Sequence, residues 1–362
     1  MQIYNYPNNI HYKYTKSNKA SNISFGALQT IQASRMQAPK KIEYSLRVIS
    51  NKISDIFQPK IIKKITQNIA ALTPKQNKTF LSQLIEIGRI YASEKVIDAN
   101  TEDKILEQIA QDGTPTIFIM NHSNQTEDPQ MLAILNMLLA QCYQDAGVET
   151  FPLPKIIMNE DILKTMNPTK RKAFENFGAV GIDASLVDGN KSVNARAFLP
   201  IIKDFINNKC NIFIFPEGRM AVKKGLDLHD RFQTGIASLI NKILGMKKEV
   251  RVVPVAFAYG SENQKGLNAM NIGSPIIVKR NGEETTVTKG DIEKDTKSCL
   301  FNFFDKRKDI SDITITSGGS AVTKTDLPEF LKTILCENLA INVSLAEERL
   351  KAPFDISEVN LR

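Results

Sequence analysis

Residues 116–130 read TIFIMNHSNQTEDPQ. An apolar run, Ile117-Phe118-Ile119-Met120, stops at Asn121-His122, a short polar stretch ends in Glu127 and Asp128, and Pro129 opens a second apolar run, MLAILNMLLA. A near-continuous apolar run of strand length predicts a central strand covered on both faces. The run after Pro129 is long enough for a helix. One of only three histidines in the chain therefore stands where a buried strand ends.

The same alternation continues downstream. PKIIM (154–158), GAVGI (178–182), CNIFIF (210–215), VRVVPVAFA (250–258) and PIIVK (275–279) read as strands. PQMLAILNMLLAQ, VNARAFLPIIKDFINN and TGIASLINKIL between them read as helices. Strands alternating with helices predict an α/β fold, a mostly parallel mixed sheet flanked by helices. Upstream, YSLRVISNKISDIF, IIKKITQNIAAL and KTFLSQLIEIGRIYASEKVI space their apolar residues by three and four, and Pro59 and Pro74 punctuate them. They predict a small helical N-terminal domain over 41–110, after a disordered polar tail over 1–40. The α/β domain is expected over 111–362. Its extension, 281–362, is charged and hard to read until LPEFLKTILCENLAINVSLAEERLK, which looks helical.

Composition narrows the function classes. The chain has 362 residues, 42% of them apolar, enough for a large core. Its 47 basic and 39 acidic residues give +8. That excess suits an anionic partner such as phosphate, a membrane surface or an acidic carrier protein, and a solvated surface equally well. It lacks the dense basic stripes of a nucleic-acid binder, so no nucleic-acid partner is expected. The four cysteines, Cys142, Cys210, Cys299 and Cys336, have neither metal nor redox spacing and read as reduced thiols, so no metal is expected. No apolar run reaches the ~18 residues of a membrane span. The first residues lack the apolar core of a secretory signal. A cytoplasmic protein follows, with peripheral membrane association as a further expectation.

In open α/β sheets, ligands bind beyond the carboxyl ends of the strands. Two polar clusters fall at such ends: Asn121-His122 through Asp128, and Pro216-Glu217-Gly218-Arg219 after CNIFIF. Together they predict one shared site. With NHSNQTEDP, ENFGAVGIDAS, IFIFPEGR, GLDLHDRFQTGIASLI and VRVVPVAF in this order, the chain resembles the glycerolipid acyltransferases, which include the glycerol-3-phosphate and 1-acylglycerol-3-phosphate enzymes. The resemblance covers about 115–260, and the layout is closest to the soluble chloroplast-type glycerol-3-phosphate acyltransferases. That family places an aspartate five residues after its histidine. Here the fifth residue is Glu127 and the sixth Asp128. Strict counting favours Glu127; aligning the Asp-Pro and its helix favours Asp128, which also stands at a natural N-cap before Pro129. The family's middle strand often ends Asp-Arg, whereas Asp183 is followed by Ala184, and Arg219 follows Gly218 with no residue between.

The resemblance implies transfer of a fatty acyl group from a thioester to the hydroxyl of glycerol-3-phosphate or a lysophospholipid. His122 would take the hydroxyl proton, oriented by Asp128 or Glu127. Arg219 would grip an acceptor phosphate, with Lys155 and Arg171 as reserves. Gly218 would allow a tight turn or close ligand approach, and Glu217 would brace the loop. No bound cofactor is implied; acyl-CoA or acyl carrier protein would be a co-substrate. A second reading is a catalytically weak lipid- or phosphate-binding relative, which predicts that the His122 and carboxylate side chains point apart. The absence of GxSxG and GxxxxGK[ST] stands against an unrelated hydrolase.

Overall fold

Ile117, Phe118, Ile119 and Met120 have no exposed surface at all. Ile117 and Ile119 belong to one core, Phe118 and Met120 to another, one on each face of the sheet. This is why an uninterrupted apolar run can be a strand: both of its faces are covered. The fold comes from a computed structural model that describes residues 63, 66–67, 69–71, 74–94, 96–100, 104–123, 127–182, 191–218, 232, 235–247, 249–260, 267–281, 313–317, 320–324 and 328–351. All of them fall in one compact unit, Tyr44–Arg362; the other unit, Met1–Glu43, lies outside the described residues. So do the expected polar tail, the helix at YSLRVISNKISDIF, and most of 281–325.

In chain order the described elements are α1 (Lys78–Glu94), β1 (Val96–Asn100), α2 (Ile105–Asp112), β2 (Thr116–Met120), α3 (Asp128–Asp145) and β3 (Leu153–Asn159). Then come α4 (Glu160–Thr165), α5 (Pro168–Asn176), β4 (Ala179–Ile182), α6 (Lys191–Ile206), β5 (Cys210–Ile214) and α7 (Gly235–Leu244). The last are β6 (Glu249–Tyr259), β7 (Leu267–Ile272), β8 (Ile276–Arg280), β9 (Ile313–Ser317), β10 (Ser320–Lys324) and α8 (Pro328–Lys351). All six strands read from the sequence are present.

The strand order is β10-β9-β8-β6-β2-β5-β3-β4. From β6 to β4 every pairing is parallel; β8, β9 and β10 continue antiparallel. The sheet is thus mixed, with the parallel centre that the apolar runs predict. β6 serves two partners along one edge. Glu249–Val252 pairs with β8, and Val255–Tyr259 pairs with β7, which carries β1 on its far side. The changeover falls at Pro254, whose carbonyl accepts from Gly273 N–H at 2.8 Å. On one face α1, α2 and α3 bury Phe80, Leu84, Ile109, Met131 and Leu135 with Phe118, Phe213 and Val255. Phe118 and Phe213 stack there across β2 and β5, centroids 4.8 Å apart. On the other face α6, α7 and α8 bury Phe205, Ile240, Leu335 and Leu339 against Ile117, Ile119 and Ile212.

The structure departs from the sequence reading at several points. The helical stretch 78–97 ends at Glu94, and Val96-Ile97 begin a strand instead. β-branched residues fit that pleated edge better than a further helical turn. Strands β7, β9 and β10 and helices α4 and α5 were not foreseen. The described helices α1 and α2 share their core with α3 and the sheet.

At several described positions, Gly88, Gly178 and Gly273 among them, there is no room for a Cβ. A Cβ on Gly273 would lie 2.4 Å from Asn342 Nδ2 on α8. Gly178, between α5 and β4, has φ +104°, and a Cβ there would lie 2.0 Å from the Pro154 carbonyl oxygen. Gly178→Ala should therefore destabilise the fold by about 2 kcal/mol or more, read as a lowered denaturation midpoint with an unchanged m-value.

Candidate active site

β2 and β5 are adjacent and parallel, so their carboxyl ends lie side by side. After β2 the chain enters α3, packed on one face; the next described helix after β5, α7, packs on the opposite face. The crevice between two such ends is where open α/β sheets bind ligands. The two polar clusters of the sequence meet there.

Asn121 fixes the first. Its side chain mimics a strand residue: Oδ1 accepts from the Phe257 N–H at 2.7 Å, and Nδ2 donates to the Phe257 carbonyl at 2.9 Å. The pairing with β6 thus extends one step beyond the end of β2, and His122 is the next residue. Its backbone N–H donates to Glu217 Oε1 at 2.8 Å, which ties the β2 end to the turn after β5. Glu217 is 2% exposed, so a carboxylate is buried to hold that contact. Gly218 has φ 66° and donates its N–H to the Phe215 carbonyl at 3.0 Å. A left-handed residue closing a tight turn is a natural place for glycine.

The His122 ring lies between a carboxylate and an aromatic face. Nδ1 is 2.5 Å from Asp128 Oδ2, and the ring centroid is 4.8 Å from that of Phe215. With Asp128 ionised it can only accept, so Nδ1 would carry the proton and Nε2 would be the basic nitrogen. The His122 side chain is 24% exposed and Asp128 1%, so the ring is reachable while its partner is sealed. Of the two candidate carboxylates, Asp128 is the one that the structure shows in contact with the ring. The structure also corrects the capping expectation. Glu127 holds the N-cap position of α3, with no side-chain cap bond, and Asp128 is the first helical residue. The helix N-terminus favours a negative charge there.

Asp128 Oδ1 accepts a second hydrogen bond, from the Tyr259 hydroxyl at the end of β6. Burial of that hydroxyl, with the Asp128 charge beside it, pushes Tyr259 well above the ordinary tyrosine range. Tyr259 was not singled out from the sequence. Its only signal is a hydroxyl-bearing residue closing the apolar run VVPVAFA.

The other candidates sit elsewhere or lie outside the described residues. Arg219 is outside them, as are Lys223, Lys224 and Arg231. Lys155 pairs in register with Ile212, two positions short of the β5 carboxyl end, and lines a small recess with Pro74, Glu175 and Gly178. Arg171 donates Nε–H to Glu175 Oε1 at 2.8 Å in an exposed pair on α5. The structure shows no contact joining either residue to the His122 cluster. Among the described residues, no group of three or more His, Cys, Asp or Glu side chains could hold a metal ion. Nor is any helix there long and apolar enough to cross a membrane. Burial pushes the Cys142, Cys210 and Cys336 thiols up to about 11, 12 and 11, so they are poor nucleophiles.

Residues 100–258 match the Acyltransferase family model. The matched segment covers a little under half of the chain and contains His122, Asp128 and Glu217. It supports an acyltransferase enzyme acting on lipid substrates in general. A comparison with curated proteins finds no match.

Proposed function

We propose that the protein is an O-acyltransferase that moves a fatty acyl group from acyl-CoA or acyl carrier protein to a hydroxyl of glycerol-3-phosphate or a lysophospholipid. The observation that carries the reading is the 2.5 Å contact between His122 Nδ1 and Asp128 Oδ2, at a strand end inside the acyltransferase segment. His122 Nε2 takes the hydroxyl proton as the acceptor oxygen bonds to the thioester carbonyl carbon. Asp128 stabilises the imidazolium so formed. The tetrahedral intermediate collapses, the C–S bond breaks, and the imidazolium returns its proton to the leaving thiolate. No acyl-enzyme is required, and Ser123 remains a loop hydroxyl, 3.4 Å from Asn121 Nδ2. Arg219 is the proposed phosphate grip, and Glu217 braces the turn that precedes it in the sequence. The binding-only alternative needs the histidine and carboxylate apart, and their contact disfavours it.

The test is an acyl-transfer assay with labelled acyl-CoA and acyl carrier protein against glycerol-3-phosphate and a panel of lysolipids. Ester formation with one of these acceptors is the expected result; hydrolysis alone, or no turnover with any pair, overturns the proposal. The proposal includes peripheral membrane contact through basic and apolar surface. Salt or carbonate should release the protein from membranes, and release by detergent alone would contradict that part.

A further inference from the structure

We propose that Tyr259 is a positioning residue for the general base, the third member of a His122–Asp128–Tyr259 relay. The inference rests on the acyltransferase reading of His122. Three observations place Tyr259 in that role. Its hydroxyl donates to Asp128 Oδ1 while His122 Nδ1 holds Oδ2, so the two partners occupy different oxygens of one carboxylate. Asp128 is 1% exposed, so water has little room to replace a missing donor. Tyr259 closes β6, two residues past Phe257, whose backbone is clamped by the Asn121 side chain. Asn121 precedes His122, so one strand end sets both the base and the hydroxyl that holds its carboxylate.

Tyr259 lies one residue beyond the segment matched by the family model. The hydroxyl stays protonated through the physiological range, because burial and the adjacent Asp128 charge raise it. It therefore acts as a fixed donor. Such a donor stabilises the pair most when neutral His122 faces anionic Asp128, and less once the histidine is charged. Removing it raises the affinity of the pair for its next proton. The charged groups near the cluster among the described residues include Glu217, whose Oε1 accepts from the His122 backbone N–H, and Glu127, whose charge acts on Tyr259. Neither Tyr259→Phe nor a fluorinated tyrosine alters them.

The experiment reads the His122 titration by NMR in the full chain, where only three histidines need assigning and His122→Ala identifies the signal. In Tyr259→Phe the midpoint should move upward by on the order of one pH unit, the scale of one hydrogen bond to a charged group. Site-specific 3-fluorotyrosine at 259 keeps ring and hydroxyl, so it preserves the fold, and as a stronger donor it should move the midpoint downward. The acid limb of kcat/KM, measured with palmitoyl-CoA and the acceptor found above, should follow both shifts. In an Asp128→Asn background both shifts should vanish. An unmoved midpoint in either Tyr259 variant overturns the relay, whatever the assay gives. Full activity in His122→Ala overturns the acyltransferase mechanism instead, so the two failures are distinct.

Discussion

His122→Ala should lower kcat for acyl transfer by roughly 10²–10⁴-fold, the usual cost of removing a general base. The fold should survive. The His122 side chain is 24% exposed, so little core is lost. Alanine keeps the backbone N–H that donates to Glu217, so the β2 and β5 ends stay tied. Asp128 keeps the Tyr259 donor and its place at the start of α3. Thermal unfolding should therefore stay within a few degrees of the parent while turnover collapses. Wild-type turnover in this variant would eliminate His122 as the base and with it the proposed mechanism.

The frame of this fold was legible because burial on two faces leaves a plain mark. TIFIM and CNIFI are apolar at nearly every position, and both are fully covered strands. β7 escaped because LNAMNI places Asn268 and Asn271 in a buried strand, where Asn271 Nδ2 donates to Asn342 Oδ1 across a helix contact. Composition marks such a segment as a loop; only the long-range partner makes it a strand. β1 escaped for a similar reason. Its pairing with β7 is parallel and 171 residues away at Val96↔Leu267, and no local pattern announces it. In the site, the strand ends disclosed that His122 and Glu217 would meet, because both follow apolar runs. Tyr259 was hidden by its company: VRVVPVAFAY reads as core, and nothing local says that its last side chain reaches α3. Lys155 and Arg171 show how little local charge says about position. A positive charge near a phosphate-handling motif invites a binding role, yet register places Lys155 short of the strand end and Glu175 pairs with Arg171 on the surface.

Asp128→Asn should cost about as much as losing the base, while Glu127→Gln should cost almost nothing. Asp128 meets two donors, Nδ1–H of His122 and the Tyr259 hydroxyl, one on each oxygen. Asparagine offers one acceptor oxygen and one amide NH2 in the same two places. If the oxygen faces Tyr259, the NH2 faces the ring, Nδ1 must accept, and the proton moves to Nε2, where it blocks base catalysis. If the oxygen faces the ring, the tautomer is kept, but the charge that stabilises the imidazolium is gone and the Tyr259 donor loses its acceptor. Both arrangements slow the step in which imidazolium forms. The same exchange in the histidine–aspartate pair of serine proteases lowers kcat on the order of 10⁴-fold. A loss of roughly 10²–10⁴-fold is expected here, with KM changed far less because the carboxylate is buried and both its oxygens face protein donors. Glu127 is half-buried at the N-cap position, and its side chain makes no cap bond, so Glu127→Gln should change kcat by no more than about two- to three-fold. Steady-state kinetics of the two variants decide between the carboxylates. A severe loss in Glu127→Gln beside normal turnover in Asp128→Asn would mean that the 2.5 Å contact orients a side chain but takes no part in moving the proton.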